Sequence, residues 1–125
     1  MPRWEQDNRA SGPVVQSFTS RGFSIDGHEY HGLLLTPERA DEWAAPALVD
    51  LTQEHLAPIL ALHPAPEFLI LGTGTQIAFP PRPLILALEK RGIGVEVMDS
   101  RAGARTWGML RGEERWIAAA LMPSS

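Results

Sequence analysis

The sequence predicts an α/β fold with a mostly parallel sheet, and three observations carry that expectation. The first is the apolar run Phe68-Leu69-Ile70-Leu71, closed by Gly72-Thr73-Gly74. A strand with one wet face alternates apolar and polar residues. An unbroken apolar run that ends in glycines reads as a strand buried on both faces. The second is the succession that follows: a Pro-rich loop, a helical segment, then a second strand from Ile93 to Met98. That order is a βαβ unit, which requires a parallel pair and a right-handed crossover. The third is a consequence of the first two. Both strands end at one edge of the sheet, so Gly72-Thr73-Gly74 should face Asp99-Ser100-Arg101 there.

The other elements follow in chain order. Residues 1–13 are polar and aperiodic and read as a mobile arm, with Trp4 as its lone aromatic. Val14 to Phe18 can extend. Phe23-Ser24-Ile25 and Tyr30 to Leu35 flank Asp26-Gly27, a pair suited to a type I′ turn because both central residues need positive φ. A β-hairpin is expected there. A short third strand is expected in Glu42–Leu48, with Pro46 favouring an edge position. Thr52 is a capping residue for a helix that turns Leu56, Ile59 and Leu60 to one side. Pro58 fits if the regular helix begins near His55, and His63-Pro64-Ala65-Pro66 stops it. After the buried strand, Pro83 suits a first helical position, Leu84, Ile85 and Leu88 make an inner face, and Gly92 closes the helix. Asp99 or Ser100 caps a third helix running to about Leu110. Gly112-Glu113-Glu114 turns into a last strand, Arg115–Leu121, and residues 123–125 are a tail. Residues 14–122 are expected to form a single α/β domain.

The bulk numbers narrow the function classes. A chain of 125 residues has the length of one domain and can bury roughly two thirds of its unfolded surface. It contains no cysteine, which excludes disulfides, Cys-ligated zinc, iron–sulfur clusters and thiol catalysis by its own residues. The formal charge of −4 argues against a nucleic-acid binder. No apolar run approaches the ~20 residues of a membrane span, and residues 1–13 lack the apolar core of a signal peptide. A cytoplasmic protein, not membrane-spanning, is expected.

Three segments carry a family resemblance. They are Leu71-Gly72-Thr73-Gly74; Gly92-Ile93-Gly94-Val95-Glu96-Val97-Met98-Asp99 with Ala102 and Arg105-Thr106 behind it; and Arg115 with Ile117-Ala118-Ala119-Ala120-Leu121. In this order and spacing the chain resembles the small bacterial and archaeal proteins related to mitochondrial complex I assembly factor 3, over roughly residues 14–122. The resemblance implies a three-layer α/β fold with a mixed central sheet and about three helices, no established catalytic activity, and a role in assembling a protein complex. The chain departs from the family pattern at four places. Ala104 stands where members often have Cys, Trp107-Gly108 where they often have Tyr-Asn, Arg101 at a usual Gly and Trp116 at a usual Arg.

The residues themselves leave several chemistries to weigh. Gly72-Thr73-Gly74 begins like a dinucleotide fingerprint, but Ile77 stands at the third glycine and three prolines separate the loop from the next helix. The glycines serve equally well to let a crowded strand approach a neighbour, or to open a small-ligand or anion site at the edge. Asp99, Ser100, Arg105 and Thr106 lie around a helix start, where free N–H groups and an arginine fork suit a carboxylate or phosphate. Against that, Asp99 repels an anion, and Arg105 can instead be a structural tie between the third helix and the strand ends. His28 and His31 are on opposite faces of a strand, His55 and His63 are separated by prolines, and no carboxylates complete a metal set. No strand–Gly-x-Ser-x-Gly–helix elbow exists. No metal and no cofactor are expected. The expectation is a non-catalytic protein that binds protein partners, with Trp4, Trp107 and Trp116 as candidate contact residues. The competing class is a small-molecule- or anion-binding protein, or an enzyme, using the edge around Gly72 and Arg105.

Overall fold

The computed structural model describes residues 12–124, so the expected arm and Trp4 fall almost wholly outside the described residues. Among the described residues, eight strands and three α-helices follow one another, with short 3-10 turns before the first helix. They are β1 (Ser17–Thr19), β2 (Gly22–Ile25), β3 (His28–Tyr30), β4 (Leu33–Leu35), β5 (Ala40–Glu42), α1 (Ala57–Leu60), β6 (Phe68–Gly72), α2 (Arg82–Lys90), β7 (Gly94–Met98), α3 (Ser100–Gly112) and β8 (Ala118–Leu121). Strands β1, β2 and β3 form a small antiparallel sheet. The other five form a mixed sheet in the order β5-β4-β8-β6-β7. Its β8-β6-β7 half is parallel and its β5-β4-β8 half antiparallel.

The alternation of side chains along these strands builds a three-layer molecule. Leu69 and Leu71 of β6, with Ala118 and Ala120 of β8 and Leu34 of β4, face Leu84 and Leu88 of α2 and Leu56 and Ile59 around α1. Ile70, Leu33, Leu35, Ala119 and Leu121 face the other way, onto Ala104 and Trp107 of α3 and onto Phe23 and Ile25 of the small sheet. Every residue from Leu69 to Leu71 and from Ile117 to Leu121 is fully buried. The unbroken apolar runs therefore mark the two strands covered on both faces.

Several local expectations are met with a shift. The Asp26-Gly27 turn has φ of 51° and 81°, the positive values that a type I′ turn needs. The strand that follows is cut in two at His31-Gly32, and its halves belong to different sheets. A side chain at Gly32 would run into the Trp43 carbonyl, so the close pass of two backbones fixes that bend. The third strand is Ala40–Glu42, ahead of the expected Glu42–Leu48, and it does lie at a sheet edge. Thr52 opens a 3-10 turn over Gln53–Leu56, with its N–H donating to His55 Nδ1 at 3.0 Å. Regular helix starts only at Ala57, so Pro58 lies in the first turn, where no intrahelical N–H is missed. Among the described residues no helix is long and apolar enough to cross a membrane.

Candidate functional site

Strand β6 ends beside β7, with Gly72 in register with Met98, so the two loops expected to meet do meet. The Thr73 N–H donates to the Met98 carbonyl at 2.9 Å. The chain then turns at Gly74, whose φ of 105° favours glycine. Ser100, fully buried, locks this turn twice. Its Oγ accepts the Gly74 N–H at 2.8 Å, and its own N–H donates to the Gly74 carbonyl at 2.8 Å. Gly72 is the residue that permits the clasp. A Cβ there would lie 2.7 Å from Ser100 Cα and 2.8 Å from Leu121 Cδ2. Beside it, Asp99 caps α3, its Oδ1 accepting the Ala102 N–H at 2.9 Å.

These bonds decide what the strand end can do. An anion at a helix N-terminus needs free N–H groups. Here the Ser100 N–H is taken by Gly74 and the Ala102 N–H by the Asp99 carboxylate, the Gly103 N–H makes the first ordinary helix bond to the Asp99 carbonyl, and among the described residues only the Arg101 N–H is left over. Thr73 is occupied as well: its Oγ1 donates to the Gln76 carbonyl at 2.7 Å and accepts the Ala78 N–H at 3.0 Å, closing its own loop. The protein's own groups thus take up most of the hydrogen-bond donors at this edge.

The remaining residues singled out in the sequence separate from this cluster. Gly72, Thr73, Gly74, Asp99 and Ser100 come together. Arg105 lies six positions beyond Asp99, about 9 Å along the helix axis. It is exposed and makes no hydrogen bond or ion pair with the described residues, which corrects the expectation of a structural tie. Thr106, half-buried, sits on the same turn. Trp107 must be withdrawn as a contact residue: it is 0% exposed, and its Nε1 donates to the Pro13 carbonyl at 2.9 Å. It faces inward because Gly103, Ala104 and Trp107 share the side of α3 that lies on the sheet. Trp116 is half-buried and tied to the Pro64 carbonyl at 2.7 Å. Trp4 is outside the described residues. The charge that does organise α3 is Arg111, buried at its C-terminal end with Nη1 donating to the Arg115 carbonyl at 2.7 Å.

A surface that the tryptophans do not mark stands out instead. Phe79 is 96% exposed, Val49 79% and Ile77 65%. Ile77 and Phe79 lie in the loop that carries the chain from the filled strand end to α2. Val49 lines a cleft of about 450 Å³ whose walls include Leu51, Thr52, Pro81, Leu84 and Ala87. The signal for this surface is present in the sequence. Two large apolar residues sit in a Pro-rich loop, where neither helical nor strand periodicity requires them.

Two ion pairs between described residues, Arg39–Asp41 and Arg115–Glu67, lie at the surface. Arg115 holds Glu67 at 2.7 Å, and the Arg115 guanidinium lies over the Phe68 ring. Hydrogen bonds from Arg115, opposed by some desolvation, draw the Glu67 carboxyl below its ordinary range. Among the described residues no group of three or more His, Asp or Glu side chains is placed to hold a metal ion.

Comparison with known proteins joins this arrangement to a family. A family model described as a protein of unknown function (DUF498/DUF598) matches residues 15–122. The NADH dehydrogenase (ubiquinone) 1 alpha subcomplex assembly factor 3 of Danio rerio is 34% identical over 119 residues, covering 94% of this chain and 68% of the relative. Its counterpart from Rattus norvegicus is 32% identical over 110 residues, and the chain spans only 60% of that relative's length. The crystal structure of a Bordetella parapertussis protein superposes with a TM-score of 0.81 at 28% identity, covering 93% of this chain and 99% of that one. The chain thus belongs to the DUF498/DUF598 family of proteins of unknown function, among whose relatives is complex I assembly factor 3.

Proposed function

We propose that the chain acts by binding protein partners during assembly of a multi-subunit complex, without catalysing a reaction of its own, and that it does so in the cytoplasm. The observation that carries this reading is the filled strand end beside an exposed apolar loop. Two of the three N–H groups that a small anion would use at this helix start, those of Ser100 and Ala102, are spent on Gly74 and Asp99, and the Asp99 carboxylate repels an anion. The loop leaving that edge presents Ile77 and Phe79 to solvent, with Val49 likewise exposed at the cleft before α2. Exposed aromatic and aliphatic groups of this kind anchor protein interfaces. The relatives named as assembly factors for NADH dehydrogenase supply the class of complex.

The reading is tested in a bacterium that makes a proton-pumping NADH dehydrogenase. The tagged chain is expressed there, recovered under mild conditions, and its bound proteins are identified by mass spectrometry. The expected result is recovery of subunits of that enzyme in partly assembled form. Recovery of the chain alone would overturn the assembly reading, as would turnover of a small substrate that is lost on Asp99→Ala with the fold intact.

A further inference from the structure

The mixed sheet ends on β7, and among the described residues no strand pairs with its outer side. The inner register is set by two bonds, Gly94 N–H to the Glu67 carbonyl at 3.5 Å and Thr73 N–H to the Met98 carbonyl at 2.9 Å. In a parallel ladder alternate residues bond to a given neighbour. Gly94, Glu96 and Met98 therefore turn their backbone groups to β6, and Val95 and Val97 turn theirs outward. The free edge offers an N–H and a C=O at each valine, in the spacing that only another extended chain matches. The far edge of the sheet is better protected. Strand β5 is three residues long, and its Glu42 carboxylate already accepts the N–H groups of His31 and Gly32.

Side chains on β7 say which extended chain fits. Val95 and Val97 are half-buried on the α2 side of the sheet. Glu96, on the opposite side, is exposed and has no hydrogen-bond or ion-pair partner among the described residues. A second copy of the chain is a poor occupant. Antiparallel pairing of Val95 with Val97 of that copy sets the two Glu96 carboxylates directly opposite each other. The registers centred on either valine leave them on the diagonal, still within about 7–8 Å. Like charges across a strand pair are destabilising, and an opposite charge is favourable.

We infer that β7 takes up an extended segment of a protein partner by strand addition, with a basic residue opposite Glu96 and apolar residues opposite Val95 and Val97. The inference rests on the protein-binding reading and names the chemistry of one contact. The two are separable, because the edge can be probed without any natural partner.

The probes are two nine-residue peptides with blocked ends and threonine flanks, one centred on Val-Lys-Val and the other on Val-Glu-Val. Each is titrated into the full chain while backbone amide signals are followed by NMR. The expected result is saturable shifts and slowed exchange at the Val95 and Val97 amides, with the lysine peptide preferred by about three- to tenfold. Glu96→Lys should reverse that preference. Val97→Pro should abolish binding while the chain stays folded, because the N–H it removes points out of the fold and the loss of a half-buried side chain is the main cost. Equal binding of both peptides, a preference unchanged by Glu96→Lys, or shifts that avoid β7 would overturn the inference. If parent and Glu96→Lys chains capture the same subunits equally well, the edge proposal fails while the partner reading stands. If the peptides bind as described but the parent captures no protein, the partner reading fails and the edge proposal stands.

Discussion

Ser100 connects a backbone turn, a strand end and a helix start through one buried hydroxyl and one amide. The residue that makes room for it is Gly72. Gly72→Ala places a methyl 2.7 Å from Ser100 Cα, where backbone rather than a flexible side chain must yield. It is expected to destabilise the fold by about 1–3 kcal/mol in a denaturant titration. Arg105→Ala should have almost no effect, within about 0.5 kcal/mol, because the guanidinium is exposed and unengaged by the described residues. The sequence made the opposite assignment plausible, since arginine beside a helix start commonly pairs, but it held no information on which way α3 is rotated. The same gap explains Trp107. Its place on the inner face follows from the Gly103-Ala104 approach to β6 and β8, a packing fact that no local pattern contains. Glu67 gives a pH test. Its folded carboxyl titrates below the unfolded one, which lies near about 4.3, so its contribution is present above that pH and fades as pH falls through the lower folded value. Carboxyl NMR should show the depressed titration, and Arg115→Gln should return it to the ordinary range. The stability at stake is small, as both side chains are widely exposed.

At the scale of elements, the strongest patterns were the most legible. The apolar runs of β6 and β8, the type I′ turn at Asp26-Gly27 and the capped start of α3 can be read residue by residue because each has a local cause. The weaker elements moved. Strand β5 lies ahead of Pro46, and the hairpin's second strand divides at Gly32, because the pairing of Leu33–Leu35 with Ala40–Glu42 and the close pass of Gly32 and Trp43 decide both, and no residue type marks either. The register of β7 makes a further prediction. Glu96 and Met98 donate inward to β6, whereas the Val95 and Val97 amides face out. Hydrogen exchange should therefore alternate along the strand, fast at 95 and 97 and slow at 96 and 98. Uniform protection through residues 95–98 would mean that the outer edge is covered.

For the molecule as a whole, the three layers leave a division of labour. One end of the parallel strands is sealed by Gly74, Ser100 and Asp99. The surface beside it carries Ile77 and Phe79, and Val49 is exposed at the cleft in front of α2. The strand-end residues could be found in the sequence because a βαβ unit brings them together by topology. The exposed loop left only a faint signal, two large apolar residues among prolines, because such residues gain meaning only once burial is known. The most direct test compares two variants of the tagged chain by quantitative subunit capture, after equal melting temperatures have been established. In one, Ile77→Ser and Phe79→Ser are combined; in the other, Arg105→Ala is made alone. The expected result is loss of most captured enzyme subunits in the first and unchanged capture in the second. Full capture by the Ile77→Ser, Phe79→Ser chain would contradict the account, and capture lost on Arg105→Ala would move the contact to the exposed face of α3.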